Sequence, residues 1–470
     1  MHLYQALVDD LSTQIQAGVF RPGERLPSIR SLQRQRGLSR NTVMHAFDRL
    51  EALGVIERRQ RSGYFVSRHL PTRTHPSAPS PASSVSVDVS DLVFATLQAT
   101  RNRETVPLGS AFPDPQLFPL RNLGMSMARS ARALDPWTTV EDLPPGSLEL
   151  RRQIARRYIN VGVRVGVDDI VITSGAMEAL NLALQAVASP GDTIAVESPA
   201  FYAALQAVER LGMKAVEIPC DPETGVNLDA LRQALASHPV RACWFMTNYQ
   251  NPTGSLMPED SRRELVSLLA EYGIPLIEDD VYAELYHDQE PPPPAKHYDT
   301  SGLVIHCGSF AKWLAPGYRV GWVAAGRYTQ ALARLKTMTT MATCVPAQDA
   351  IADYLGRARY TRHLRRLRRE LIRQRNALEQ ALAKYFPTGT RWTRPLGGYF
   401  LWVQLPSGTD ALTVHRQAAE AGISVAPGPL FSASGRFGNC LRLNFGHRWD
   451  DTVDQALATL GRITRNSSFD

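Results

Sequence analysis

Apolar residues recur at helical spacing from the start of the chain. Leu3, Leu7, Leu11 and Ile15 predict a first helix, ended and turned by Gly18 and Pro22-Gly23. Pro27-Ser28 opens a second helix with Ser28 as its cap, Ile29 and Leu32 facing inward, Arg30, Arg34 and Arg36 facing water, and Gly37 closing it. Ser39 caps a third, whose inner face carries Val43, Ala46, Phe47 and Leu50 and whose first turn shows Arg40, Asn41 and Thr42 on the opposite side. Gly54 ends it, and residues 55–66 alternate as two short strands joined by a basic turn.

Residues 69–90, rich in Pro, Ser, Thr and Ala with almost no apolar periodicity, read as a linker reaching about 60 Å if extended and about 25 Å if flexible. From 91 to 470 the pattern changes again. Seven apolar runs, at 170–173, 193–196, 215–218, 242–246, 275–278, 304–307 and 319–323, alternate with helical stretches. Continuous apolar strands separated by helices predict an α/β fold with a mainly parallel sheet covered on both faces. Such a sheet takes its ligand beyond the carboxyl ends of its strands.

Charge sharpens the first unit. Helix, helix, helix and basic hairpin describe a winged helix-turn-helix, and eleven arginines against six acids give residues 1–68 a net +5 of the chain's +7. Cations of this kind hold DNA phosphates, while the first turn of a recognition helix reads base edges in the major groove. Arg40, Asn41 and Thr42 are the expected base readers and Arg30 a phosphate contact, with Ser28 and Ser39 beside them at the helix starts; the partner is double-stranded operator DNA. Residues 21–30 and 61–66 resemble the DNA-binding domain of the GntR family.

Candidate chemistry collects at the strand ends of the second unit. Ser174-Gly175-Ala176-Met177-Glu178 opens a helix whose free amides suit a phosphate. Residues 197–202 offer a ring at Phe201 or Tyr202, residues 248–254 contain Asn251-Pro252-Thr253-Gly254, and residues 279–282 read Asp-Asp-Val-Tyr. Ser309 to Gly321 sets Lys312 between Ser309 and Arg319. An aldehyde cofactor needs an amine, and a phosphate at its other end needs hydroxyl and cationic partners.

A length of 470 residues implies two or three domains, and no run of eighteen apolar residues predicts a membrane span. The first residues carry no basic stretch followed by an apolar one, so a cytoplasmic protein is expected. The five scattered cysteines read as reduced packing residues, and no metal site is expected. Leu364, Leu367 and Leu371 form a seam that makes the arginine-rich 357–375 read as a solvated helix in preference to a second DNA surface; Pro291 to Pro294 reads as a rigid surface loop.

The ordered set of strand-end motifs resembles the fold-type I aminotransferases of class I, with large and small domains and pyridoxal 5'-phosphate (PLP) as cofactor. The resemblance implies that Lys312 holds PLP as a Schiff base and is the catalytic base, that Asp279 pairs with the pyridine nitrogen, and that Asn251 and Tyr282 bond the phenolic oxygen. It further implies that Phe201 stacks on the ring, that Gly175, Ala176, Met177, Ser309 and Arg319 hold the phosphate, and that Arg442 takes a ligand carboxylate. Many members carry a tyrosine before the helix at 149–154 that reaches the partner's phosphate; residues 140–146 here have none. A GntR-type winged helix (1–68), a linker (69–90) and an aminotransferase-like domain (91–470) together resemble the MocR family of transcription regulators. That implies a homodimer, with PLP or a small amino compound as effector, sensed through an aldimine at Lys312. The alternative is a working aminotransferase with an autoregulatory DNA-binding unit; a third reading makes the cofactor structural.

Overall fold

The computed structural model describes residues 3–16, 19–59, 63–67, 90–91, 93–94, 104–137, 143–287, 290–357 and 359–467. Apart from the short segment 287–289, they form one compact unit within residues 1–76 and a larger one within 77–470.

In the first unit α1 (Leu3–Gln16), α2 (Ile29–Arg36) and α3 (Arg40–Ala52) precede the antiparallel hairpin β1 (Ile56–Arg59) and β2 (Gly63–Val66). Ser28 Oγ accepts from the Ser31 amide at 3.2 Å and Ser39 Oγ from the Thr42 amide at 3.1 Å, so both serines cap their helices as expected. Gly37 closes α2 in the left-handed region at φ 66°. Leu7, Val8, Leu11, Ile15, Val43, Phe47 and Leu50 are buried together with Ile56 and Val66. Leu3, expected inside, is 68 % exposed. It sits in the first turn, where α1 projects past the core, and Val8 completes the stripe instead. Arg61 and its turn lie outside the described residues.

The larger unit is built on an eight-stranded sheet. Its strands are β3 (Ile170–Thr173), β4 (Thr193–Ser198), β5 (Lys214–Asp221), β6 (Gly225–Val226), β7 (Val240–Phe245), β8 (Leu276–Asp279), β9 (Val304–Ser309) and β10 (Gly321–Ala324), in the order β3-β10-β9-β8-β7-β4-β5-β6. All seven expected strands are present, and the pairings from β5 through β4, β7 and β8 to β9 are parallel. Only β10 and the two-residue β6 run against their neighbours. Strand β10 begins at Gly321 rather than 319, because Arg319 takes a left-handed conformation at φ 51°, ψ 49° that no strand accommodates. Helices that matter below are α4 (Leu148–Asn160), α5 (Ala176–Val187), α6 (Tyr202–Arg210) and α7 (Arg359–Tyr385).

A C-terminal lobe adds β11 (Arg391–Trp392), β12 (Phe400–Gln404), β13 (Ala426–Pro427) and β14 (Cys440–Asn444), antiparallel in the order β11-β12-β14-β13. This is the small domain beside the large one. Buried Glu217 of β5 ties the two, accepting from Ser432 Oγ at 2.8 Å, the Ala433 amide at 3.0 Å and Ser434 Oγ at 2.5 Å. All five cysteines are unpaired. The proline run is an irregular segment, partly buried and held by Arg262 donating to Pro293 O.

Gly321 fixes how closely β10 approaches the first helix of the sheet. A Cβ there would stand 2.7 Å from the Gly175 carbonyl carbon, 2.8 Å from Gly308 O and 2.9 Å from the Ala176 nitrogen, all backbone atoms. Gly321→Ala is therefore expected to cost about 1–3 kcal/mol, read as a lowered urea midpoint of the larger unit. An unchanged midpoint would show that the strand has room to move.

Candidate functional site

Three strand ends meet side by side. Gly321 of β10 pairs with Thr173 of β3 on one side and Ser309 of β9 on the other, which brings the exits of β3 and β9 and the start of β10 into one row. The chain leaves β3 through Gly175, at φ 87°, and enters α5 without a side-chain cap, so the first amides of the helix have no capping oxygen. Arg319 is held over this turn: its Nη2 lies 2.8 Å from where a Cβ on Gly175 would be. Arg319 is thus brought to the Gly175 turn at the start of α5, and Ser309, whose Oγ donates to Val320 O at 3.4 Å, ends the strand next to Gly321; amides, a hydroxyl and a guanidinium are the donor types an anion takes.

Lys312 follows β9 and is half-buried. Its Nζ donates to Ala111 O at 3.0 Å and stands 3.9 Å from the Phe112 ring centroid. Burial, with Arg442 and Arg319 adding repulsion against the pull of Asp279, draws the amine down to about 7. Asp279 ends β8 beside Cys307 of β9 and has no exposed surface. Neither of its carboxylate oxygens meets a hydrogen bond of ordinary geometry. Burial and the neighbouring Asp280 push it up to about 7, against the attraction of Lys312.

Arg442 comes from β14, opposite Trp402 of β12, and reaches the same region 1 % exposed. It donates to Asn251 Oδ1 at 3.1 Å, Gly109 O at 2.6 Å and Ser110 O at 3.3 Å, lies 4.3 Å from the Phe400 ring, and leaves Nε without a hydrogen bond. Tyr282 is buried, its ring 5.4 Å from that of Tyr399. Phe201 sits at the start of α6, half buried, whereas Tyr202 is buried, its ring 5.9 Å from that of Phe431 and its hydroxyl a hydrogen-bond partner of Arg442. Of the two rings, Phe201 is the one left partly open.

Sequence reasoning missed the strap at 109–112. Its carbonyls are held by Arg442, by Lys312, by Tyr399 Oη at 3.1 Å and by Asn444 Nδ2 at 2.9 and 2.7 Å. Backbone acceptors leave no residue signature. It also missed a buried chain behind Asp279: Asn248 and His306 bond Asp280 at 3.2 and 3.0 Å, and Tyr158 bonds both His306 at 2.7 Å and Trp322 at 3.0 Å. The doublet Asp279-Asp280 and a histidine inside an apolar strand were its only traces. Asp280 is satisfied by this chain and Asp279 is left open.

The residues fit a pyridine ring carrying an aldehyde and a phosphate. A carboxylate with no hydrogen bond of ordinary geometry awaits a ring N–H, an amine of lowered basicity awaits the aldehyde, and the start of α5 awaits the phosphate. In the first unit Arg30, Arg40 and Asn41 are exposed and Thr42 is partly so, its Oγ1 2.8 Å from Ser39 Oγ.

Fold and site together define a fold-type I aminotransferase-like domain joined to a winged helix-turn-helix. Residues 138–460 match the family of class I and II aminotransferases, and residues 3–66 match the bacterial regulatory proteins of the gntR family. The chain belongs to the aminotransferase class I and II family, in the MocR arrangement with a GntR domain at its N-terminus. It is 45 % identical to the uncharacterized HTH-type transcriptional regulator YdcR of Escherichia coli, over 98 % of this chain and 99 % of that one. The 2-aminoadipate transaminase of Thermus thermophilus is 31 % identical over 78 % of this chain and 92 % of its own. Among solved structures, LysN of Thermus thermophilus, complexed with N-(5'-phosphopyridoxyl)-L-leucine, superposes with TM-score 0.73 at 30 % identity, covering 79 % of this chain and 94 % of that one. Kynurenine aminotransferase of Pyrococcus horikoshii gives 0.73 at 29 %, covering 81 % and 95 %. The chain is thus a transcription regulator with an aminotransferase-like domain, and no helix among the described residues is long and apolar enough to cross a membrane.

The environment of Lys312 separates it from every other amine of the chain. Of the five lysines, Lys296 and Lys336 are ion-paired, and Lys214 and Lys384 are exposed. Lys312 alone is drawn to about 7, so it loses its proton as pH rises through that value. Aldehyde labelling trapped with borohydride should rise with a midpoint near pH 7, with the adduct on Lys312 by mass spectrometry; a midpoint near that of free lysine would contradict the geometry. In the first unit, Arg40→Ala should relax base preference at one position by about 1–3 kcal/mol, whereas Arg30→Ala should weaken all sequences alike. Equal loss of specificity in both would sink the assignment.

Proposed function

We propose that the chain is a PLP-dependent, DNA-binding transcription regulator whose larger unit senses PLP, or a small amino compound meeting PLP, at Lys312. The observation that carries this reading is Asp279, a fully buried carboxylate with no hydrogen bond of ordinary geometry, beside the half-buried amine of Lys312. Bound PLP supplies an aldehyde for amines and a ring that accepts electrons once its nitrogen is protonated.

The chain's own residues divide the remaining work. Lys312 presents an amine that is half unprotonated near neutral pH. Asp279 keeps a proton on the ring nitrogen, because a buried carboxylate stabilises the cation it faces. Asn251 and Tyr282 are assigned to the phenolic oxygen, Phe201 to the ring face, and Gly175, Ala176, Met177, Ser309 and Arg319 to the phosphate. Arg442 meets a ligand carboxylate with two parallel bonds. To do so it releases the carbonyls of Gly109 and Ser110, so carboxylate binding and strap position compete for one guanidinium.

In the first unit Arg40, Asn41 and Thr42 read bases, and Arg30 holds a phosphate from a helix that Ser28 caps. We assign residues 1–68 to DNA, 69–90 to the tether and 91–470 to sensing, in a homodimer. The rival, a working aminotransferase, keeps support from the same groups, since Lys312 is also placed as a base.

The test pairs a spectrum with a DNA-binding measurement. Wild type loaded with PLP should show an absorbance band that Lys312→Ala lacks, and PLP should change the affinity of wild type for DNA but not that of Lys312→Ala. An equal PLP response in both proteins would refute sensing at Lys312. Repeated turnovers with amino acids would make the enzyme reading the better one.

A further inference from the structure

The arginines of α7 do more than solvate a helix. Leu364, Leu367 and Leu371 are buried, with Arg368 and Arg375 turned toward the same side. Opposite them Arg359, Arg362, Arg365, Arg366, Arg369 and Arg373 are exposed. At 100° per residue these six fall within an arc of about 120°, and from first to last they span about 21 Å. Arg373 is paired with Glu370. Among the described residues the other five make no ion pair, although Arg366 lies near enough to Glu370 to help hold its carboxyl down; some exposed arginines elsewhere in the unit are paired, as Arg232 is with Glu264 and Arg263 with Glu259.

The distribution of charge isolates this face. The chain's net +7 divides into +5 for residues 1–68, +7 for 359–375 and −5 for everything else. One helix therefore carries a concentrated positive stripe on an otherwise acidic domain. The stripe also works against its own helix: like charges three and four apart repel, and its first turn holds no acid to meet the macrodipole. A polyanion relieves both costs.

We infer that this face of α7 is a second duplex-DNA contact, sequence-independent and separate from the winged helix. The inference rests on the reading that the chain binds DNA. A second copy of the chain that met the stripe on a two-fold axis would set arginine against arginine. An anionic membrane is disfavoured too, because no large apolar side chain of 359–375 is exposed for insertion. Duplex DNA needs neither: it presents one charge per about 1.7 Å of axis along the whole length of the stripe.

The experiment measures binding of the full-length protein to a long mixed-sequence duplex across a series of KCl concentrations. Arg362→Ala/Arg366→Ala/Arg369→Ala should weaken binding at least about tenfold at low salt, and flatten the slope of log K against log salt by about 0.9 for each phosphate no longer neutralised. Lysine at the same three positions should restore the slope. Alanine favours helix, so folding should survive, and circular dichroism with PLP absorbance checks that it does. Unchanged affinity and slope in a folded triple variant overturn the inference. So does an equal loss in the lysine variant, which would mean that packing rather than charge was disturbed. If wild type fails to bind the duplex at all, the regulator reading itself has failed, which is a different result.

Discussion

Three ionisable groups meet with little access to water, and the larger unit is arranged around that fact. Asp279 at the end of β8 and Arg442 within β14 are buried, and Lys312 just past β9 is half-buried. Two cations and one carboxylate cannot all remain charged without water. A guanidinium holds its proton under all ordinary conditions, so the amine and the carboxylate are the groups that yield, each drawn to about 7. The amine's drop to about 7 corresponds to roughly 5 kcal/mol against the charged form, enough to leave a nucleophile poised at neutral pH. A set of carbonyls and an amide side chain, not an acid, offsets Arg442. Neutral dipoles steady the guanidinium without cancelling its charge, which leaves it able to attract a carboxylate.

The sequence carried the parts of this arrangement that need particular side chains. Each strand is a short apolar run, and the residues just beyond each run are chemically specific: Ser309 and Lys312 at the end of β9, Asp279 at the end of β8, Gly175 past β3. The serine caps of α2 and α3 were legible because an N-cap requires an oxygen at one position. The direction of β10 was not, since an apolar run looks the same read either way along a sheet. Its true start was hidden because Arg319 reads as a strand residue until its left-handed backbone is seen. The 109–112 strap left no trace, as carbonyls are common to every residue, and Leu3 looked like core because periodicity does not say where a core ends. The hydrogen-bonded run from Asn248 to Trp322 joins five positions from separate elements, a connection that only the fold makes.

Glycine sets the tolerances. Gly175 must adopt φ 87° to turn from β3 into α5, and Gly321 must lack a side chain for β10 to lie against that turn. Together they let Arg319 reach over the helix start. A phosphate cradle of this type depends on backbone approach more than on any one donor, because the amides point where the backbone puts them.

Net charge alone would have misled. A pI near 9.2 suggests a uniformly basic protein, yet the basic charge sits in two places and the remainder is acidic. That division matters physically, because a duplex responds to local charge density within a Debye length of about 8 Å, not to the molecular total. An acidic remainder repels DNA everywhere except where arginines are gathered. A duplex approaching such a surface is oriented by repulsion as well as by attraction.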